Sequence, residues 1–220
     1  MRELYLECYS GISGDMTVAA LLDLGVPGEY LMKELEKLHL DGYEIKISRT
    51  KKNQITATDF DVILKDEHKE EHGHEHAHTH VNDEDVKECH EQEHSQEHTH
   101  VHNSYREIKE FILASELSDR VKEMILKIFQ VIAEAEAQVH GTAVDEVHFH
   151  EVGAVDSIVD ISAAAICLDY LGFDSIVTSE IWEGKGHVWC QHGRIPVPAP
   201  AVLAIFLKSQ TRLHLSGVQG

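Results

Sequence analysis

The sequence predicts an α/β fold of the α+β type, and three observations predict it. Short period-two runs alternate with longer stretches whose apolar residues recur every three or four positions. One pair of period-two runs flanks a polar Lys-Lys-Asn turn, the pattern of a β-hairpin. A histidine- and acid-rich insertion divides the chain; with almost no apolar residues to offset chain ordering, it is expected to be disordered. The expected organisation is a small N-terminal α/β unit with a hairpin at residues 1–64 and a His/acid-rich metal-binding segment at 65–103. A helical segment and then a strand–helix–strand region at 104–220 pack with the first unit.

Each element has a local reason. Leu4, Leu6 and Cys8 alternate with Glu3, Tyr5 and Glu7, a strand with one apolar face. The glycines of SGISGD break that strand, MTVAALLDLG reads as a helix closed by Gly25, and a second helix is predicted over Gly28 to Leu38. Ile45 and Ile47, then Phe60, Val62 and Leu64, give the hairpin its apolar face. Two amphipathic helices follow the insertion, with Ser104 and Ser118 as N-caps and Gly141 as the stop of the second. VDEVHFHEVGAVDSIVDISAAAICLDYLG predicts a short strand, a glycine-containing loop and a long helix ending at Gly172. SIVTSEI and KGHVWCQ read as strands, and Pro200 sits well at the first turn of a last helix. The final GVQG reads as a glycine-containing loop on a truncated chain.

Composition removes several function classes. The formal charge is −20, of which twelve acids and two lysines between Asp66 and His102 contribute −10. Lys and Arg do not cluster, so neither nucleic acid nor an anionic membrane is an expected partner. No apolar run is long enough to span a bilayer, and the strand-like N-terminus lacks the apolar core of a signal peptide. Cys8, Cys89, Cys167 and Cys190 lie far apart without CxxC spacing, which reads as reduced thiols in a cytoplasmic protein.

The insertion carries the loudest chemical signal. Eleven of the eighteen histidines fall between Asp66 and His102. His72, His74, His76, His78 and His80 recur at every second position, and His94, His98, His100 and His102 follow more loosely. Imidazole suits zinc, copper, iron and nickel, so the composition points to a transition metal without choosing among them. A solvated acidic linker with incidental histidines is the bland alternative.

Three further motifs carry candidate chemistry. In HFHEVGAVDSIVDI, His148 and His150 share a face if the segment is a strand, and Glu151 follows at its end. Asp156 is placed to cap the next helix, with Asp160 one turn on along the same face. Such a set can hold a divalent ion or perform acid–base chemistry; an ordinary cap, a solvated acid and a half-buried strand face are the alternative. In SGISGDM, the turn at Ser13 and Gly14 offers backbone N–H groups at a helix start. No lysine follows, so it is not a P-loop, and Asp15 would repel phosphate unless a cation intervened. In GKGHVWCQHGRIPVPAPA, Lys185 and Arg194 could hold a phosphate or carboxylate, whereas His187 and His192, five apart, would face opposite sides of a strand.

SGISGDM, the internal histidine-rich insertion, HFHEVGAVDSIVDI and HGRIPVPAPA, in this order, resemble the LarC-type nickel insertion proteins. The resemblance implies insertion of nickel (Ni2+) into pyridinium-3,5-bisthiocarboxylic acid mononucleotide, giving the nickel-pincer cofactor of lactate racemase, with CTP and manganese (Mn2+) required. It casts Asp15, His148, His150, Glu151 and Asp156 as catalytic, and Ser13, Gly14, Lys185 and Arg194 as binding the organic precursor. His148 and His150 join His72, His74, His76, His78, His80, His94, His98, His100 and His102 as metal ligands. The precursor and a lactate racemase-type apoenzyme are the implied partners, and a homo-oligomer the expected assembly. Two departures follow. Any acid that family members place just before SGISGDM has only Glu7 as its candidate here, beside Cys8 in the first strand. Family members are about twice this long, so the half associated with CTP is missing, no residue here is assigned to CTP, and this fragment alone is an incomplete insertase. A nickel or zinc storage or delivery protein and a metal-dependent phosphohydrolase are the competing readings.

Overall fold

The computed structural model describes residues 1–65, 104–149, 154–190, 193–209 and 211–219. The chain is α/β. Strand β1 (Glu3–Leu6) leads through SGISGD into α1 (Gly14–Asp23), followed by α2 (Gly28–Glu36) and the hairpin β2 (Tyr43–Lys52) and β3 (Ile55–Leu64). Helices α3 (Tyr105–Ala114), α4 (Asp119–His140) and α5 (Val155–Leu171) come next. Strands β4 (Ser175–Thr178), β5 (Ile181–Cys190) and β6 (Gly193–Val197), helix α6 (Pro200–Lys208) and strand β7 (Leu213–Gln219) complete it.

Local chemistry explains most boundaries. The hairpin pairs Ile45 with Val62 and Ile47 with Phe60, and turns at Asn53 and Gln54, both with positive φ (50° and 68°). A two-residue turn of that kind matches the twist of the flanking strands. Ser104 caps α3 through a capping box: its hydroxyl accepts Glu107 N–H, and the Glu107 carboxylate accepts Ser104 N–H. Ser118 caps α4, and Gly141 and Gly172 end α4 and α5 in left-handed conformations (φ 68° and 63°).

Helix α5 is the hub. Its near-continuous apolar run buries Ile158, Val159, Ala163, Ala165, Ile166 and Cys167, because α1, α2, α4 and β3 all pack around it. Tyr30 of α2 lies 4.7 Å, centroid to centroid, from Tyr170 of α5. In α4, Ile125 and Phe129 are fully buried, and the Phe129 ring lies 6.1 Å from Phe149. β1 and β4 form a parallel pair, Leu4 opposite Ile176, joining the beginning of the chain to the segment after α5. β5 is the centre of a three-stranded sheet, antiparallel to β6 and parallel to β7.

Three expectations are corrected. The strand expected before α5 is, among the described residues, a single turn of 3-10 helix (Val144–Glu146) and one bridge between His148 and Ser104. The buried Val147 and Phe149 on either side of exposed His148 keep a period-two pattern without a partner strand. Gly217, Val218 and Gln219 of GVQG belong to strand β7, since pairing with β5 outweighs the local turn tendency of Gly217. Asp156 lies inside the first turn of α5, not at its cap; Ala154 holds the cap position without a side-chain bond. The segment 66–103, with His72, His74, His76, His78, His80, His94, His98, His100 and His102, lies outside the described residues, as do His150 and Glu151.

Candidate functional site

The C-terminal ends of the parallel pair β1 and β4 meet the N-terminal ends of α1 and α5. In α/β architectures that is where ligands enter, because strand ends and helix starts present unpaired backbone groups. The loop after β1 is tied down from the far side of the sequence. Cys8 N–H donates to buried Ser179 Oγ (2.8 Å), and Cys8 O accepts from Trp182 N–H (3.1 Å) and Gly11 N–H (3.2 Å). Gly11 has φ +84°, so this tight turn favours glycine.

Gly14 and Asp160 meet at a tight junction between α1 and α5. A Cβ on Gly14 would lie 2.5 Å from Asp160 Oδ2 and 2.9 Å from Asp160 Cβ, so only glycine lets the first turn of α1 lie against α5. Asp160 accepts a hydrogen bond from the Asp15 backbone N–H, serving as a cap for α1 from another helix. Its Oδ1 is buried without a hydrogen-bond partner. Ser13 is the N-cap residue of α1, and its hydroxyl donates to the Asp15 carboxylate. Asp15 and Asp156 are exposed, and Asp160 is half-buried behind them.

Burial first, and then the negative charges of Asp15 and Asp156, push the Asp160 carboxyl from 3.8 up to about 6, against a lowering by the Asp15 N–H bond. A carboxyl raised in the fold disfavours the charged native state above about pH 6. That penalty is relieved as pH falls through 6 and is gone below the ordinary value near 4. Asp160→Asn is therefore expected to raise the thermal midpoint at pH 7.5, by on the order of 1 kcal/mol after allowing for solvent screening, or about 2–4 °C. The gain should vanish near pH 4; equal gains at both pH values in calorimetric scans would contradict it.

The sequence motifs are thus partly assembled. Ser13, Gly14, Asp15 and Asp156 share one junction with Asp160. Lys185 and Arg194 lie on β5 and β6, where Arg194 Nη2 is 3.3 Å from His187 Nδ1. His148 is held at the start of α3 by its bridge to Ser104. Sequence reasoning missed Ser179, Trp182 and the Glu180–His214 pair (3.4 Å). Nothing local signals them, since each acts across a long sequence separation. The nearest thing to a clue was the polar Ser179-Glu180 step between two strands.

The profile of the nickel insertion protein family matches residues 4–219. The chain belongs to this family. Among curated nickel insertion proteins, it is 56% identical over 207 residues to the "pyridinium-3,5-bisthiocarboxylic acid mononucleotide nickel insertion protein" of Clostridium acetobutylicum, covering 93% of this chain and 49% of that protein. It is 50% identical over 225 residues to the protein of the same name from Alkaliphilus metalliredigens, covering 100% and 49%. The Geobacillus kaustophilus protein of that name is 48% identical over 205 residues, covering 93% and 44%. The chain therefore spans about half the length of the curated nickel insertion proteins it matches. No solved structure matches it.

Among the described residues no group of three or more His, Cys, Asp or Glu side chains is assembled to hold a metal ion. The SGISGDM turn has no following lysine, so it is not a P-loop, and Asp15 lies in the first turn of α1. No helix among the described residues is long and apolar enough to cross a membrane.

Proposed function

We propose that this chain is the nickel-handling half of an insertase that places Ni2+ into pyridinium-3,5-bisthiocarboxylic acid mononucleotide, forming the nickel-pincer cofactor of lactate racemase-type enzymes. The observation that carries the reading is the Gly14–Asp160 contact. It joins SGISGDM to VDSIVDI, two motifs far apart in sequence, at one junction of strand ends and helix starts, in a chain whose relatives are named for this insertion.

In this reading the chemistry is divided among three places. The histidines between His72 and His102 collect nickel, since dense neutral imidazole binds it without a folded cage. His148 and His150, with Glu151, receive the metal. The exposed carboxylates of Asp15 and Asp156 accept the proton displaced from the precursor where nickel takes its place, while Ser13, Gly14, Lys185 and Arg194 hold the anionic precursor. CTP and manganese dependence belong to the portion of the full-length proteins beyond this span, and the lactate racemase-type apoenzyme is the recipient.

Exchanging His148 and His150 for alanine in the full-length protein separates this from plain storage. Cofactor maturation is expected to stop, while bulk nickel uptake, measured by metal analysis, stays nearly intact. Unchanged maturation would remove these histidines from the site. Release of phosphate from a simple ester by the chain alone would instead favour a phosphohydrolase.

A further inference from the structure

One face of the β5–β6 hairpin gathers an indole and cations that the junction of β1, α1 and α5 leaves unused. Trp189 pairs directly with Arg194, and His187 with Pro196, so these four residues project from the same side of the sheet. The contact of Arg194 Nη2 with His187 Nδ1 at 3.3 Å confirms the shared face. Lys185 lies two residues before His187, across Gly186, and is exposed. Trp189 is 80% exposed, an extreme for the largest apolar side chain.

The charges on this face are unbalanced in a specific way. On neighbouring β7, and just before it, His214 and Arg212 are both paired with Glu180 at 3.4 Å. Among the described residues no carboxylate pairs with Lys185 or Arg194; the polar neighbour of the Arg194 guanidinium is an imidazole. A guanidinium only donates, so His187 Nδ1 accepts and the ring hydrogen lies on Nε2. His187 therefore offers an N–H donor outward, not a metal-binding lone pair. A planar π-face flanked by a guanidinium and an imidazole N–H, with an exposed lysine further along β5, suits one kind of small molecule: a flat aromatic ring that carries anionic substituents. A cationic ring suits it better still, because the indole face is electron-rich.

We infer that the Trp189–Arg194–His187 face binds a pyridinium mononucleotide, with the ring stacked on Trp189 and its carboxyl-type or phosphate groups held by Arg194, His187 and Lys185. This deepens the proposed function and rests on it, since it assigns the precursor's ring to a residue that the sequence motifs alone leave without a role.

Calorimetric titration of the intact protein with nicotinic acid mononucleotide, a pyridinium-3-carboxylate mononucleotide, tests it. Trp189→Phe should keep affinity within a few-fold, whereas Trp189→Ala should weaken it about tenfold or more. Arg194→Gln should weaken binding and flatten its salt dependence. Because Trp189 is mostly exposed, its variants should melt with the parent, which separates binding from folding. Absence of binding by the parent, Ala binding as tightly as Phe, or an Arg194→Gln variant with unchanged affinity would each overturn the inference. Nickel insertion assayed on the same full-length variants keeps the two ideas apart. Binding through Trp189 by a parent that inserts no nickel would remove the function and keep the face. Undiminished insertion and affinity in Trp189→Ala would remove the face and keep the function.

Discussion

Replacing Gly14 with alanine is expected to abolish nickel insertion by the full-length protein and to destabilise the fold by about 1–3 kcal/mol. In an uncrowded helical position the same change would stabilise, by roughly 0.4–1 kcal/mol, because alanine is the better helix former and restricts the unfolded chain. Here the new Cβ would meet Asp160 Cβ at 2.9 Å and its Oδ2 at 2.5 Å. The carboxylate can rotate away, but Cβ is fixed to the α5 backbone, so α1 and α5 must part. Parting them breaks the Asp15 N–H bond to Asp160 and moves Ser13 and Asp15 away from Asp156. Urea denaturation checks the sign directly: a midpoint equal to or above the parent's would show that the junction is not as tight as drawn.

Truncating Phe129 to alanine should cost more stability, about 3–5 kcal/mol. That is a large part of the roughly 5–15 kcal/mol that usually separates folded from unfolded states. Phe129 is fully buried in α4, and its ring partner is Phe149, the neighbour of His148. Loss of the ring therefore loosens the segment that presents His148 as well as the core. A chemical-denaturation loss under about 1 kcal/mol would mean that the site collapses around the gap and that this packing is not what holds the segment.

Much of the fold was legible because its causes are local. The Ile45–Val62 and Ile47–Phe60 pairs follow from period two and a turn at Asn53, and the caps at Ser104 and Ser118 follow from hydroxyls ahead of amphipathic runs. What escaped was set by distant partners. β7 forms on β5 although Gly217 weakens it, and the stretch around His148 finds one bridge instead of a strand partner. The site divides in the same way. Spacing alone put Asp160 on the Asp156 face of α5. Its contact with Gly14 depends on α1 packing on α5, and its raised carboxyl depends on that contact's burial and charges. No periodicity encodes such a meeting.

On the proposed division of labour, the histidine segment gathers nickel while the chemistry lies in the folded part. The direct measurement is cofactor maturation by the full-length protein with residues 66–102 deleted, followed from scarce to abundant nickel, with bound metal quantified alongside. The deleted protein is predicted to lose most of its nickel stoichiometry and to mature little cofactor when nickel is scarce, yet to approach the parent's yield when nickel is abundant. Failure to mature the cofactor at every nickel level would contradict the account and make the segment part of the reaction site itself.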